Sequence, residues 1–266
     1  LINYPQIDPV IFSIGPLSVR WYGLMYVLGF LASYILIKKD LKKDNPDYEN
    51  DVDFLDNLIT WVVVGVVVGG RLGYVIFYNP AYYLRHPLDI FATWDGGMAF
   101  HGGALGAITA GYIYSQIKKM DFWEWIDRCV VTVPIGLGFG RIGNFINGEL
   151  YGRATDVPWA MIFPQGGMIP RHPSQLYEAF FEGFLLFVIL WGLKRKKLPK
   201  GSMLAFFIIF YSFFRFIVEF FREPDAHLGF VFAFLSMGQM LSIAFMIMGM
   251  GLFYVRSGKK DLNNLR

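Results

Sequence analysis

Seven long apolar runs, separated by shorter polar segments, set the pattern of this chain. Residues 21–37 carry no charge. Residues 58–77 contain only Arg71, residues 99–117 only His101, and residues 129–146 only Arg141. Residues 176–193 hold Glu178 and Glu182, residues 203–221 hold Arg215 and Glu219, and residues 229–255 are again uncharged. A bilayer core about 30 Å thick takes about 20 helical residues, fewer where flanking side chains snorkel. The pattern therefore predicts an all-α, polytopic integral membrane helix bundle of about seven transmembrane helices.

The polar segments orient these spans. Lys38, Lys39, Lys42 and Lys43 follow the first, and Lys118, Lys119 and Arg128 follow the third. Lys194, Arg195, Lys196, Lys197 and Lys200 follow the fifth, and Arg256, Lys259, Lys260 and Arg266 follow the seventh. Every lysine in the chain belongs to one of these clusters. Cytoplasmic loops attract lysine and arginine, so the N-terminus is expected outside and the C-terminus in the cytoplasm. An odd number of spans demands the same asymmetry. The first span lacks both a basic leader and a small-residue cleavage site, so it is not expected to be a cleaved signal.

The domain expected is one transmembrane unit over residues 1–255, followed by a short basic cytoplasmic tail, 256–266, that is partly disordered. Two external connections are substantial. Residues 78–97 mix aromatic and charged side chains in the manner of an interfacial segment. Residues 147–173 carry Pro158, Pro164, Pro170 and Pro173 among four glycines, which marks a loop. Chemistry is expected in the bundle, opening towards the outer face.

Composition agrees with this picture. Of the 266 residues 55% are hydrophobic and only 17% charged, with a mean hydropathy of +0.42, where a soluble domain carries about 25% charged residues. The single cysteine, Cys129, excludes an internal disulfide framework. Its place at the cytoplasmic end of a span makes it a poor nucleophile for an outward-facing site. No zinc motif, nucleotide loop or serine-hydrolase elbow is present, and the four histidines lack tight ligand spacing. No cofactor, metal or nucleic acid is expected.

Charges placed inside apolar runs are the candidate chemistry, because each is costly near hydrocarbon unless it faces a partner or a polar cavity. The densest set is Gly140-Arg141-Ile142-Gly143-Asn144-Phe145-Ile146-Asn147-Gly148-Glu149-Leu150-Tyr151-Gly152. A guanidinium fork at Arg141 suits a phosphate, with Asn144 beside it and Glu149 orienting the set. Snorkelling of Arg141 to outer headgroups is the plainer alternative. Tyr211, Arg215, Glu219 and Arg222, spaced four, four and three apart, fall on one helical stripe. That stripe either faces a polar cavity or merely pairs Arg215 with Glu219. His101 can accept a proton near neutral pH, or serve as an interfacial residue.

Arg71 needs a partner, and structural pairing and substrate contact are equally open. Tyr22 and Tyr26 suit an aromatic belt. Gly65, Gly69 and Gly73, like Gly136 and Gly140, suit close helix packing. Glu178 and Glu182 are expected to be structural, paired with Arg171 or another basic neighbour. An enzyme, a phospholipid transporter or anion channel, and a non-catalytic lipid or signal-peptide receptor all remain compatible with these residues.

The motifs resemble the bacterial prolipoprotein diacylglyceryl transferases. The resemblance rests on Phe12-Ser13-Ile14-Gly15-Pro16, Trp21-Tyr22-Gly23, Asp95-Gly96-Gly97-Met98, His101-Gly102-Gly103 and the 140–152 run. It continues through Arg171-His172-Pro173-Ser174-Gln175-Leu176-Tyr177-Glu178, the stretch from Arg215 through Arg222-Glu223-Pro224-Asp225, and Ser236-Met237-Gly238-Gln239. It implies a multi-pass enzyme of the bacterial inner membrane, with its active site towards the outer leaflet. Such an enzyme moves diacylglyceryl from phosphatidylglycerol to the lipobox cysteine in the signal peptide of a preprolipoprotein, releasing glycerol phosphate. It implies Arg141, Arg215 and His101 as catalytic residues, His101 as one candidate base for the thiol proton, with Glu149 and the substrate phosphate the alternatives. It implies Tyr22, Asn144, Glu149, Gly152, Glu219 and Arg222 as substrate-binding or site-organising residues beside Arg141.

Overall fold

The computed structural model describes residues 2–15, 17–44, 48–93, 96–223, 230–232 and 235–263. Pro16, Trp94, Asp95, Pro224, Asp225, His227 and Arg266 lie outside the described residues. The chain divides into two compact units, one of residues 1–37 and 126–266, the other of residues 38–125.

In chain order the elements begin with strand β1 (Ile2–Asn3) and a hairpin of β2 (Val10–Ile14) and β3 (Leu17–Arg20). The hairpin feeds directly into helix α1 (Trp21–Asp44). Helices α2 (Glu49–Phe77), α3 (Pro80–Arg85) and α4 (Phe100–Lys118) follow, with a 3-10 turn over Pro87–Phe91. Then come α5 (Phe122–Val130), α6 (Val133–Ile146) and the short strand β4 (Met161–Ile162), which pairs in parallel with β1. One continuous helix is built from α7 (Ser174–Glu178), a π-helical segment (Ala179–Leu185) and α8 (Leu186–Leu193). Helix α9 (Ser202–Val218), strands β5 (Phe230–Phe232) and β6 (Leu235–Ser236), and α10 (Met237–Asn263) complete the fold.

The chain is thus mostly helical, with three two-stranded ladders among the described residues that the apolar pattern does not announce. Among the described residues four helices are long and apolar enough to cross a membrane: Trp21–Lys43, Glu49–Phe77, Ser174–Leu193 and Met237–Gly258. The bent pair α5 and α6 makes a fifth if it is one span.

Two boundaries differ from the sequence expectation, each for a local reason. The run over residues 129–146 is broken by about 40° between α5 and α6. Pro134 has no amide hydrogen to donate and its ring clashes with a preceding carbonyl, so it opens α6 rather than continuing α5. The last span starts at Met237, not at residue 229. Ser236 Oγ accepts from the Gln239 amide (3.2 Å) and Gln239 Oε1 accepts from the Ser236 amide (3.0 Å), a reciprocal cap that sets the start. At its other end α10 runs to Asn263, into the segment read as a short basic tail.

Glycines set the helix spacing. In the unit of residues 38–125, Gly65, Gly69 and Gly73 of α2 meet Gly102 and Gly106 of α4. A Cβ at Gly73 would come within 2.9 Å of the Gly102 Cα, so backbones touch where side chains would ordinarily intervene. In the other unit, a Cβ at Gly183 of the π segment would lie 2.6 Å from the Gly138 Cα of α6. The apolar core of that unit includes Val130, Val131, Leu186, Leu190, Met203 and Phe214.

Candidate functional site

Two buried carboxylates gather three arginines. Glu178 ends α7 and Glu182 lies in the π segment, both fully buried. Arg141 from α6 puts Nε 2.5 Å from Glu178 Oε2 and Nη2 3.9 Å from Glu182. Arg215 from α9 places Nη1 3.6 Å from Glu178 and 3.7 Å from Glu182. Arg222 places Nη1 3.7 Å from Glu178 Oε1. The π turn explains the convergence. Wide i→i+5 turns are rare, occur mostly as single insertions and recur at functional sites. Here one sits where Gly183 lets α6 approach, bringing Arg141 to both carboxylates.

Among the described residues, no oxygen of Glu178 or Glu182 has an aligned hydrogen bond, and neither does Arg215 Nη1. The cluster is held by charge rather than by fitted donors. Its exposure is one-sided: the glutamate side chains are 1% exposed, those of Arg141, Arg215 and Arg222 21%, 16% and 14%. The carboxylates form the buried side of the cluster and the arginine side chains its partly exposed side, although Arg215 Nη1 is itself buried. An anion arriving at that exposed side would meet planar, charged donors suited to bidentate contact.

Arg215 is further fixed by Glu219, whose Oε2 lies 2.8 Å from Nη2. Glu219 Oε1 accepts from the Ser236 hydroxyl at 3.1 Å. Gly238 leaves room for this carboxyl, since a Cβ there would lie 2.7 Å from it. The helical stripe predicted from Tyr211 to Arg222 is therefore cut short. Helix α9 ends at Val218 with Glu219 as its C-cap, and Arg222 lies beyond it, bridged to Gly152.

The turn after α6 forms a second network. Asn144 and Asn147 both donate their amides to Glu149 Oε1, at 2.9 and 3.1 Å. Gln175 donates to the Glu149 carbonyl at 2.6 Å. Tyr22 packs on Gly143, where a Cβ would lie 2.9 Å from its ring, and its hydroxyl is 3.1 Å from that of Tyr26. Asn144 and Glu149 are both within electrostatic reach of Tyr22. Gly152 serves through its backbone, since a side chain there would collide with the Phe221 carbonyl and with His172. Its amide donates to the His172 carbonyl at 2.8 Å, and Arg153 donates Nε to the Arg222 carbonyl at 2.8 Å. These bonds sew residues 147–173 to the end of α9 and so hold Arg222. Burial pushes His172 below its ordinary imidazole value, and its ring shares a 3.1 Å contact with the Tyr177 hydroxyl.

Of the two options the sequence left open for Glu178 and Glu182, Arg171 or another basic neighbour, the structure takes the second. Arg171 instead binds Glu223 at 2.9 Å and lies over the Tyr151 ring. The two glutamates are the central site residues that sequence reasoning set aside, and Ser236 is another. The signal was present: two acids four apart in one apolar run, beside two other runs each carrying an arginine.

His101 belongs to the other unit, exposed as the second residue of α4. In that unit Arg71 is structural. Its guanidinium donates to the carbonyls of Asp89 (2.5 Å), Gly96 (2.6 Å), Ile90 (2.8 Å), Ala92 (3.0 Å) and Gly97 (3.2 Å). All these bonds go to one loop, which leads into α4. Replacing Arg71 with Leu is expected to speed amide exchange of Asp89, Ala92 and Gly96 by at least about tenfold, since each hydrogen bond to a charge is worth about 1.5–3 kcal/mol. Unchanged exchange by mass spectrometry would mean that the loop holds itself.

The family model for prolipoprotein diacylglyceryl transferase matches residues 9–255. A relative from Desulfotalea psychrophila, named phosphatidylglycerol–prolipoprotein diacylglyceryl transferase, is 52% identical over 96% of this chain and 96% of its own. A protein of the same name from Geobacter sulfurreducens is 51% identical over 97% and 99%. A third so named, from Pseudomonas paraeruginosa, is 48% identical over 95% and 94%.

Proposed function

The chain belongs to the prolipoprotein diacylglyceryl transferase family, and from that premise we propose that it transfers the diacylglyceryl group of phosphatidylglycerol to the cysteine thiol of a prolipoprotein. The observation that carries the chemistry is the one-sided arginine cluster: three partly exposed arginine side chains around two fully buried carboxylates. In the reaction the cysteine sulfur attacks the glycerol carbon that bears the phosphate. A carbon–sulfur bond forms, the carbon–oxygen bond breaks, and its electron pair leaves with glycerol phosphate.

Arg141 and Arg215 hold the phosphate and stabilise the charge that grows on the departing oxygen. Arg222 adds to the same field. Glu219 and Ser236 fix Arg215, while Asn144 and Glu149 shape the turn after Arg141. Tyr22 lines that turn, and Gly152 holds the backbone that carries Arg222. The attacking sulfur is the substrate's own, and thiolate is its reactive form. His101 is our candidate for the base that takes the thiol proton.

The acceptor cysteine lies in the lipobox of a signal peptide, and both substrates reach the enzyme from the bilayer. We place the protein in the bacterial inner membrane as seven spans, with α4 and α9 as the sixth and seventh beside the five candidates. The N-terminus is outside, the C-terminus cytoplasmic, and the site faces the outer leaflet. The lysine clusters after alternate spans support this orientation. No cofactor or nucleic acid enters the reaction.

The test uses purified protein, phosphatidylglycerol and a lipobox peptide. A diacylglyceryl mass gain on the peptide with matching glycerol phosphate release supports the transferase. Lipid bound or moved intact, with no gain, would favour a transporter or a receptor. The His101→Gln variant is expected to lose turnover about 10²–10⁴-fold, the usual contribution of a positioned acid or base. Near-normal turnover across the pH range would reduce His101 to a structural role.

A further inference from the structure

The charges behind the arginines exceed what the transfer chemistry requires. Arg141, Arg215 and Arg222 carry three formal positive charges, and Glu178, Glu182 and Glu219 carry three formal negative ones. A site built only to grip phosphate would leave its arginines uncompensated. Here two carboxylates are buried at their backs with no aligned hydrogen bond among the described residues. Glu182 is the looser of the two, 3.7 Å from Arg215 and 3.9 Å from Arg141.

We propose that the Glu178–Glu182 pair is a charge filter, which lets the arginine front accept a singly charged phosphodiester without favouring a doubly charged phosphomonoester. The inference rests on the reading that these arginines hold the lipid headgroup. Substrate and product differ in charge. The phosphate of phosphatidylglycerol is a diester with one negative charge at any physiological pH. Breaking its carbon–oxygen bond leaves a monoester, whose second ionisation lies near pH 6. Three bare arginines would bind that dianion more tightly than the substrate and retain the product. Carboxylates behind them repel the added charge through a short, poorly screened path.

Charged groups from several elements face the pair. Arg141 comes from α6, Arg215 and Glu219 from α9 and its cap, and Arg222 from the segment after it. Tyr211 of α9 is a further ionisable neighbour with which Glu182 interacts. The pair therefore acts through the arginines, as positioning and specificity residues rather than as groups that touch the reacting atoms.

The test measures competition with a fluorescent phosphatidylglycerol bound to the purified protein. The probes are glycerol 1-phosphate and its methyl phosphodiester, from about pH 5.5 to about pH 8, across the second phosphate ionisation. In the wild type the monoester is expected to compete no better than the diester at either pH. The diester corrects for groups of the protein that titrate in the same window. In Glu182→Gln the monoester is expected to gain about tenfold over the diester at the upper pH, the scale of one charge interaction near a protein surface.

Glu178→Gln provides a second variant, and a melting curve establishes that each is folded. The wild-type comparison needs no variant at all. A wild type that already prefers the dianion tenfold would overturn the filter, as would an unchanged ratio in folded Glu182→Gln. Failure of both probes to displace the lipid would overturn the headgroup premise and the filter with it. Binding is read without turnover, so a failed transfer assay and a failed filter are separate results.

Discussion

Replacing Glu178 with alanine is expected to destabilise the protein by about 3–5 kcal/mol and to abolish transfer, the stability figure being that of breaking a buried ion pair from one side. Glu178 is within 4 Å of three guanidinium groups: 2.5 Å from Arg141, 3.6 Å from Arg215 and 3.7 Å from Arg222. Removing it strands like charges and leaves Glu182 and Glu219 to offset them. Thermal unfolding of the purified protein measures the first effect and peptide mass the second. Glu178→Gln keeps the shape and should recover most of the packing but not the charge balance. An alanine variant that melts within a degree or two of the wild type would show that the arginines rearrange freely, and that the cluster is not held from behind.

Four of the helices were legible because a long apolar run marks where a helix lies. Residues 21–37, 58–77, 99–117 and 176–193 each fall within or nearly coincide with an observed helix. What apolarity hides is where a helix stops. Residues 129–146 are continuously apolar apart from Arg141, yet Pro134 divides them. Residues 229–236 are uncharged and largely apolar, yet the Ser236–Gln239 cap delays α10.

The site was legible in its charges and not in its pairings. Arg141, Asn144, Glu149, Arg215 and Glu219 stood out because charged and amide side chains are rare inside apolar runs. Which cation meets which anion depends on tertiary contact. Glu178 and Glu182 pair with arginines that are distant in sequence and carried by other elements, so no local spacing identified them. Arg71 was undecidable for another reason: all five of its acceptors are backbone carbonyls, which every residue possesses. Arg222 keeps helical spacing from Glu219 but sits outside the helix, because its backbone is bridged to Gly152.

Arg141→Lys is expected to lower turnover by about 10²–10³, the loss seen when one donor to a developing oxyanion is removed, with a much smaller effect on melting. The two effects separate because Arg141 faces two ways. Its Nε lies against Glu178 at 2.5 Å and its Nη2 3.9 Å from Glu182, while 21% of the side chain stays exposed. A planar fork can hold a carboxylate with one edge and a phosphate with another. A lysine ammonium is a single point of charge. Drawn back to Glu178 it preserves the buried pair, and drawn forward to the phosphate it abandons that pair. Stability should therefore survive better than catalysis. If the fork acts mainly on the leaving oxygen, kcat and kcat/KM should fall together, because that contact strengthens only in the transition state. A rise in KM alone would assign Arg141 to headgroup binding, leaving Arg215 to stabilise the leaving group. Turnover within about threefold of the wild type, a barrier change of less than about 1 kcal/mol, would remove the two-edged fork from the mechanism.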